Sequence, residues 1–229
     1  MTVADGVGGW AESGVNPAIY SRKLCKNIKL ATTSDLRKYE KDTAALVKYS
    51  WENNQELGSS TLVVVTLPSQ GKELFTTYVG DSGYCILRRK NPASTELNIV
   101  YESKAQQKGF NFPLQLGCGQ NGDHPEVGKT QSHEVQTGDF VVLGSDGLFD
   151  NINAAQIADL ISRELAISGN AFQPFDAANK IAKQAFQYSL DPKYDSPFAQ
   201  EARKNKVKFM GGKSDDISVT IGIVELSSN

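Results

Sequence analysis

The feature that most constrains this chain is a set of four aspartate-containing turns, each beside a predicted β-strand. They are Ala4-Asp-Gly-Val-Gly-Gly-Trp10, Val79-Gly-Asp-Ser82, Ser145-Asp-Gly-Leu-Phe-Asp150 and Ser214-Asp-Asp-Ile217. Any one of them could be an ordinary hairpin turn, because Asp tolerates left-handed backbone and Gly supplies positive φ. Four together predict instead that several carboxylates lie close to one another at the edge of a sheet.

The strands beside these turns are predicted from short apolar runs rich in β-branched residues. They are expected at Thr61–Leu67, Leu74–Val79, Tyr84–Arg88, Leu97–Tyr101, Phe140–Leu143 and Ile217–Val224. The last run is nearly all apolar, which is typical of a strand buried within a sheet. Residues 103–137 are rich in Gly, Pro and Gln, and we expect them to form a long surface excursion.

Helices are predicted before and after these strands. Asn16-Pro17 is typical of a helix start, and a second helix is expected from near Ser34 to Trp51, with apolar residues three and four positions apart. Further helices are expected around Ile157–Leu165, Ile181–Phe186 and Ser196–Lys204. Helices and strands are mixed and partly segregated, which predicts an α+β fold with a single domain over residues 1–229.

Composition excludes several classes of function. The chain has 229 residues with 24 Lys and Arg against 26 Asp and Glu, so no basic surface suggests a nucleic-acid partner or a charged membrane. Cys25, Cys85 and Cys118 are scattered, which favours a reducing compartment over a disulfide framework. Two histidines are too few for three-His zinc chemistry. The chain has no 18-residue apolar run and starts with no recognisable targeting segment, so no membrane insertion is expected.

Several familiar catalytic sites are excluded, because the residues that each would need are missing or the neighbouring sequence does not fit. Gly117–Gly122 matches GxGxxG, but the turn sequence Asp123-His124-Pro125 follows where a dinucleotide site needs a helix. Gly212-Lys213-Ser214 resembles the end of a P-loop, but a strand follows it. A cysteine phosphatase needs Arg six positions after its nucleophile, and those positions are Ala31, Asn91 and His124. The chain also lacks the GxSxG elbow of a serine hydrolase.

The aspartate turns point to a hard divalent cation. Carboxylates that lie close together repel one another unless a cation neutralises them. The motifs offer oxygen ligands without Cys or His, which favours Mg²⁺ or Mn²⁺ over Zn²⁺. Two such ions roughly 3.5–4 Å apart would lower the pKa of a shared water and supply hydroxide for attack on a phosphate ester. No protein nucleophile is then needed.

Five motifs occur in the same order as in a known family. They are the Ala4–Trp10 turn, Gly58-Ser-Ser-Thr61, the Val79–Ser82 turn, the Ser145–Asp150 turn and Gly211-Gly-Lys-Ser-Asp-Asp-Ile-Ser218. The chain thus resembles the metal-dependent Ser/Thr protein phosphatases, the PPM or type 2C family. The segments Gly109–Leu116 and Asp191–Gln200 resemble its compact branch, whose fungal and animal members are mitochondrial. The resemblance therefore implies a mitochondrial protein, with a cytoplasmic location as the alternative.

The resemblance implies an α-β-β-α arrangement, with a central antiparallel β-sandwich flanked by helices. It implies two Mg²⁺ or Mn²⁺ ions per chain, a phosphoprotein substrate attacked by the bridging hydroxide, and a monomer. Asp5 would bridge both ions, and the Gly6 carbonyl would bind the second. Asp146 and Asp215 would hold the first ion.

The same resemblance gives roles to three further aspartates. Asp81 and Asp150 match positions that the family uses for a weaker third metal or its waters. Asp216 stands where many relatives have Asn, so which of Asp215 and Asp216 coordinates is left open.

The chain also departs from the family pattern. Val7 stands where many members have a His proposed to protonate the leaving group, and His133 is a weak substitute because a core or solvated His is the simpler reading. Only four residues precede Asp5, so we expect an N-terminally short domain without the first strands and without the phosphate-binding Arg of the family. Two alternatives follow: a phosphatase-fold pseudo-enzyme or truncated isoform that acts by binding a partner, and a metal-binding β-sandwich with a non-hydrolytic ligand.

Overall fold

Two four-stranded antiparallel sheets form the framework of the chain, one in each of two units. The computed structural model describes residues 1–118 and 122–227. The first unit comprises Met1–Ser82, Ala105–Gln136 and Leu226–Asn229, and the second comprises Gly83–Lys104 and Thr137–Glu225. The α+β class and the antiparallel sheets are as predicted.

The first unit is built on a sheet in the order β1-β3-β4-β10. Its strands are β1 (Thr2–Val3), β2 (Ser59–Ser60), β3 (Leu62–Thr66), β4 (Glu73–Val79), β7 (Gln107–Gly109), β8 (Phe112–Pro113), β9 (Leu116–Gly117) and β10 (Lys129–Glu134). Its helices are α1 (Pro17–Ser34), α2 (Leu36–Tyr39) and α3 (Thr43–Glu52). Short 3₁₀ turns cover Gly8–Ser13 and Pro125–Val127.

Helices α1 and α3 pack their apolar faces against this sheet. Tyr20 and Leu24 of α1 and Leu46 of α3 share one core cluster with Leu62 and Val64 of β3. All five side chains are almost completely buried, and such burial stabilises by about 2 kcal/mol for each side chain. This packing holds the N-terminus of α1 near the end of the sheet where the first aspartate turn lies.

The capping residues set the helix boundaries in this unit. The Asn16 side chain accepts a hydrogen bond from the Ala18 amide, which confirms the predicted start of α1. The single helix expected from Ser34 to Trp51 is instead two helices, α2 and α3. Asp42 separates them, because its carboxylate accepts a bond from the Ala45 amide and caps α3.

The predicted surface excursion at residues 103–137 is more ordered than expected. It contains the two-stranded pair β7–β8, and its strand β9 pairs with β2 (Ser59–Ser60) outside the excursion. It also supplies β10, which completes the sheet by pairing along β4. Strand β10 was not predicted from the sequence, because an edge strand with exposed residues lacks the apolar pattern of a buried strand. Residues 119–121 of the GxGxxG match lie outside the described residues.

The second unit is built on a sheet in the order β12-β11-β5-β6. Its strands are β5 (Gly83–Arg89), β6 (Leu97–Glu102), β11 (Phe140–Gly144) and β12 (Val219–Ile223). Its helices are α4 (Asp146–Phe149), α5 (Ala154–Ser168), α6 (Pro174–Ser189) and α7 (Pro197–Lys204), with a 3₁₀ turn at Gly169–Ala171. Ile157 and Ile161 of α5 and Ile181 of α6 pack on Leu87 and Val142 of the sheet.

Two expectations for the strands differ from the structure. The apolar run Ile217–Val224 forms the edge strand β12, half-buried rather than central, and it begins at Val219. The strands expected at Leu74–Val79 and Tyr84–Arg88 follow each other closely in the sequence but do not pair, because β4 belongs to the first sheet and β5 to the second. Among the described residues, no helix is both long enough and apolar enough to cross a bilayer.

Candidate functional site

Two of the aspartate turns lie at the same end of the first sheet. Asp5 follows β1, and Asp81 follows β4. Val3 pairs with Val63, and Leu62 pairs with Val79, so strand pairing brings both turns to the start of β3. Both aspartates are half-buried.

The Gly58–Thr61 motif holds the Asp5 turn in place. The Ser60 hydroxyl and the Thr61 amide both donate to the Asp5 carbonyl, at 2.8 and 2.9 Å. The Thr61 hydroxyl accepts from the Asp5 amide at 3.2 Å and lies 2.6 Å from the Ser82 hydroxyl. Thr61 therefore links the Asp5 turn to the turn that carries Asp81. Thr61 is the last residue of the Gly58–Thr61 motif, but the motif by itself did not indicate this role.

The remaining part of the Ala4–Trp10 turn is fixed by close packing. A Cβ on Gly6 would lie 2.3 Å from the Pro17 carbonyl oxygen, so only glycine fits against the start of α1. The Trp10 indole donates to the Ser59 hydroxyl at 2.6 Å, which closes the turn over β2. The Gly6 backbone thus has a defined position at this end of the sheet.

The other two aspartate turns lie together in the second unit. Asp146 comes just after β11, and Asp215 comes before β12. Because these strands are antiparallel and Gly144 pairs with Val219, the end of one strand lies beside the start of the other. Asp146 begins the short helix α4, and Asp150 lies one helical turn further on the same face.

Three carboxylates in this unit surround one lysine. The Lys213 ammonium lies 2.7 Å from Asp146 Oδ2, 2.6 Å from Asp150 Oδ2 and 3.2 Å from Asp215 Oδ2. The Phe198 ring lies on the ammonium as well, with its centroid 5.0 Å from Nζ. The Lys213 side chain is only 15% exposed, so this is a partly buried cluster and not a surface ion pair.

The cluster keeps Lys213 charged. Burial by itself would lower the pKa of Lys213, but the charges of Asp150 and Asp146 and their hydrogen bonds outweigh it and raise that pKa above its usual value. Three carboxylates against one ammonium leave an excess of negative charge. The cluster therefore favours further positive charge.

Backbone contacts fix the two segments that form the cluster. Asn151 is completely buried, and its amide donates to the carbonyls of Gly147 and Lys213 at 2.9 and 2.8 Å. Its side-chain oxygen accepts from the Lys213 amide at 2.9 Å. A Cβ on Gly147 would lie 2.3 Å from the Asp216 carbonyl oxygen, so glycine lets the Asp215 segment approach α4.

The donors present fit a hard cation, although the carboxylates here surround an ammonium. In the part of the chain that the structure describes, no group of three or more His, Cys, Asp or Glu side chains is arranged to hold a metal ion. Oxygen donors from Asp146, Asp150 and Asp215 nevertheless converge on one positive atom, the ammonium nitrogen of Lys213. Carboxylate oxygens are the ligands that Mg²⁺ and Mn²⁺ prefer.

The structure distinguishes the adjacent pair Asp215 and Asp216. Asp215 contributes its carboxylate to the cluster, and its Oδ1 also accepts from the Asp216 amide at 2.9 Å. Asp216 is exposed, and its carbonyl accepts from the Ser145 hydroxyl at 3.0 Å. Asp216 therefore acts here through its backbone, which holds the strand start against the Asp146 turn.

His133 lies away from the aspartate turns of its own unit. It pairs with Leu74 on β4, five residues before Val79, which is about 16 Å along a strand. Burial lowers its pKa, so it is mainly neutral at neutral pH. It is a poor candidate for protonating a leaving group.

Comparison with known proteins agrees with these motifs. A family model described as protein phosphatase 2C matches residues 122–191. "Probable protein phosphatase 2C 80" of Arabidopsis thaliana is 35% identical over 98% of this chain, which spans about half (51%) of that protein. "Protein phosphatase PTC7 homolog" of Danio rerio is 34% identical over 98% of this chain and 76% of its own length.

A solved structure extends the agreement to the fold. The X-ray structure of the photosystem II phosphatase PBCP matches with a TM-score of 0.85 and 29% sequence identity, over 98% of this chain and 86% of that one. This confirms the expected PPM-type fold. The Danio rerio protein is more than 30% identical to this chain, over nearly the whole chain and about three quarters of its own length. The chain therefore belongs to the protein phosphatase 2C, or PPM, family.

Proposed function

We propose that this chain hydrolyses phosphoserine and phosphothreonine in proteins, in a reaction that requires Mg²⁺ or Mn²⁺. The observation that carries the proposal is the convergence of three carboxylates, those of Asp146, Asp150 and Asp215, on one positive group, the Lys213 ammonium. They do so in a member of this phosphatase family. A set of carboxylates held this closely together needs a cation, and phosphate-ester hydrolysis by metal ions needs such a set.

The proposed metal ligands are those that the family resemblance gives. The carboxylates of Asp146 and Asp215 would hold the first of two ions. The Asp5 carboxylate and the Gly6 carbonyl would serve in the roles that the same resemblance gives them. Asp81 and Asp150 are proposed for a weaker third ion or its waters, and Asp216 for support of Asp215.

The two ions would supply charge neutralisation and a water-derived nucleophile. The chain's own residues hold the ligands still. Ser60 and Thr61 fix the Asp5 backbone, and Asn151 ties the Asp146 helix to the Lys213 backbone. Such fixed positions matter because electrostatic stabilisation of a transition state depends on donors and charges that need no reorganisation. With Val7 in the first turn, no His of that turn protonates the leaving oxygen, and the proton comes from water or from another group.

The test is hydrolysis of p-nitrophenyl phosphate and of a phosphothreonine peptide in Mn²⁺ or Mg²⁺. We expect turnover that excess chelator abolishes, and a loss of at least about 100-fold in Asp146→Asn, because that carboxylate would hold an ion. Asp159→Asn is the matched control: Asp159 lies on α5 of the same unit, exposed and paired with Arg163, and should leave activity unchanged. Full activity in Asp146→Asn or in excess chelator would contradict the proposal.

A pseudo-enzyme that acts by binding a partner is the second candidate. It is favoured by one observation: the Lys213 ammonium already neutralises part of the carboxylate cluster, so the cluster can persist without divalent ions. Tight binding of a phosphoprotein or another protein, with no turnover in Mn²⁺ or Mg²⁺, would favour it over the enzyme. A non-hydrolytic metal-binding protein would bind Mn²⁺ and neither bind nor hydrolyse the phosphopeptide.

The compartment and the oligomeric state are proposed from the family resemblance. We infer a mitochondrial monomer; the location is supported by the segments Gly109–Leu116 and Asp191–Gln200, which resemble the compact branch of the family. Imaging of the natural full-length protein fused to a fluorescent tag tests the location, and a cytoplasmic signal would contradict it. Light scattering coupled to size-exclusion chromatography tests the monomer.

A further inference from the structure

Lys213 has an environment that an ordinary surface lysine does not have. Its ammonium contacts three carboxylates within 3.2 Å, and an aromatic ring covers another side. The exposed fractions of its side chain and of Asp146 are 15% and 17%. By comparison, Lys204 contacts Glu201 with exposed fractions of 73% and 51%. Water screens a positive charge at the exposed position much more than a positive charge in the cluster.

The position of Lys213 is imposed by the fold. Asn151 holds both the amide and the carbonyl of Lys213, so the backbone cannot move without breaking two hydrogen bonds to a buried side chain. Phe198, beneath the ammonium, is 8% exposed and packs edge-on against Phe209 with ring centroids 4.7 Å apart. The lysine is therefore held at the carboxylates from its backbone to its charged end.

A cation held in this way must affect any other cation that uses the same oxygens. The ammonium occupies Oδ2 of Asp146 and of Asp215, and both are ligands in the proposed function. A divalent ion that binds these carboxylates must displace the ammonium or bind against its charge. Either event costs free energy, because opposite charges are separated or like charges are brought together in a poorly hydrated place.

We propose that Lys213 is a built-in competitor for divalent cations, whose ammonium stabilises the metal-free carboxylate cluster and weakens metal binding to it. The proposal rests on the proposed function only for the identity of the ligands Asp146 and Asp215. One side chain then sets the affinity of this chain for the metal ion. Removing its charge should tighten metal binding and destabilise the metal-free protein.

The experiment is calorimetric titration of the metal-free protein with Mn²⁺, for wild type and for Lys213→Met. We expect the neutral variant to bind Mn²⁺ at least about tenfold more tightly, because one unit of competing charge is gone. In excess chelator its midpoint of thermal unfolding should fall, and saturating Mn²⁺ should raise that midpoint more than in wild type. Lys183→Met is the matched control, because Lys183 is an exposed lysine on α6, and both quantities should stay at wild-type values.

Two further variants separate charge from shape. Lys213→Gln removes the charge but keeps a hydrogen-bond donor, and it should also bind Mn²⁺ more tightly; it serves if the methionine variant does not fold without metal. Lys213→Arg keeps the charge and should bind Mn²⁺ no more tightly than wild type. Equal or weaker Mn²⁺ binding in both neutral variants, or equal tightening in the arginine variant, overturns the proposal.

Phosphatase turnover is not read in this experiment, so the two proposals can fail separately. A wild-type protein that binds Mn²⁺ without hydrolysing any phosphate ester, together with tighter Mn²⁺ binding in the neutral variants, overturns the proposed function and supports the role of Lys213. Turnover in Mn²⁺ with unchanged Mn²⁺ affinity in the neutral variants overturns the role of Lys213 alone. No Mn²⁺ binding by any variant overturns both.

Discussion

At the scale of single residues, one buried amide decides where the Lys213 ammonium lies. The Asn151 side chain makes three hydrogen bonds to backbone groups, and two of them hold Lys213, which is 62 residues away in sequence. Nothing in the sequence around Asn151 marks it, since an asparagine after a short helix is ordinary turn chemistry. Its role follows only from the contact.

Asn151→Ala should therefore both destabilise the fold and loosen the cluster. We expect a loss of about 2–4 kcal/mol in the free energy of unfolding, because buried backbone groups lose their partners. Urea unfolding measures it. Asn205→Ala is the control: Asn205 is exposed at the end of α7 and its side chain bonds to the nearby Glu201, so the change should stay within about 0.5 kcal/mol. Similar small losses in both variants would contradict the structural role of Asn151.

The sequence located every aspartate of the cluster but misjudged the lysine among them. In the sequence, Lys213 belongs to the failed P-loop match and to the last of the five family motifs, and neither gives it a role. Its partner Asp146 lies 67 residues earlier, so no local pattern joins them. The available signal was chemical: three carboxylates predicted close together need positive charge, and Lys213 stands two positions before Asp215.

At the scale of elements, an ion pair connects two central strands of the second sheet. Arg88 on β5 donates from Nε and Nη2 to the two oxygens of Asp139, at 2.8 and 2.7 Å, just before β11 begins. Asp139 is 1% exposed, and Arg88 is 30% exposed. Because β11 leads directly into the Asp146 turn, this pair lies at the far end of the strand that positions the cluster.

Removing the buried partner of this pair should be costly. We expect Asp139→Ala to lose about 3 kcal/mol of stability, since the guanidinium of Arg88 is then left without its paired carboxylate. Asp159→Ala removes an exposed helical ion pair instead and should cost no more than about 0.5 kcal/mol. Chemical denaturation of the two variants checks the contrast, and equal losses would be inconsistent with it.

The elements that were predicted well are those with strong local signals. Helix α1 begins where Asn16-Pro17 indicates, and β3, β4, β5 and β11 lie within one or two residues of their predicted bounds. The errors concern the position of each strand within its sheet. Strand β10 is polar because most of its side chains are exposed, and β12 is apolar although it lies at an edge. Whether a strand is central or at an edge depends on the rest of the sheet, which local sequence does not encode.

At the scale of the whole molecule, metal binding should couple to stability. An ion that binds only the folded chain at about 100 times its dissociation constant adds about 2.7 kcal/mol. For a chain of this length, that corresponds to a rise of about 5–10 °C in the midpoint of thermal unfolding. Thermal scans in chelator and in Mn²⁺ measure the rise, and Asp146→Asn should reduce it. An unchanged midpoint at saturating Mn²⁺ would argue against metal ligands in the folded chain.

Read by itself, the sequence determined the α+β class, most helices and strands, the four aspartate turns and the phosphatase family. These properties follow from local periodicity, capping residues and short motifs, which act within a few residues of one another. The tertiary structure alone decided which sheet each strand joins, that Thr61 links two turns of the first unit, and that Asn151 and Lys213 complete the carboxylate cluster of the second. The physical reason is distance along the chain, because contacts between residues 20 to 70 positions apart exist only once the sheets and helices have packed.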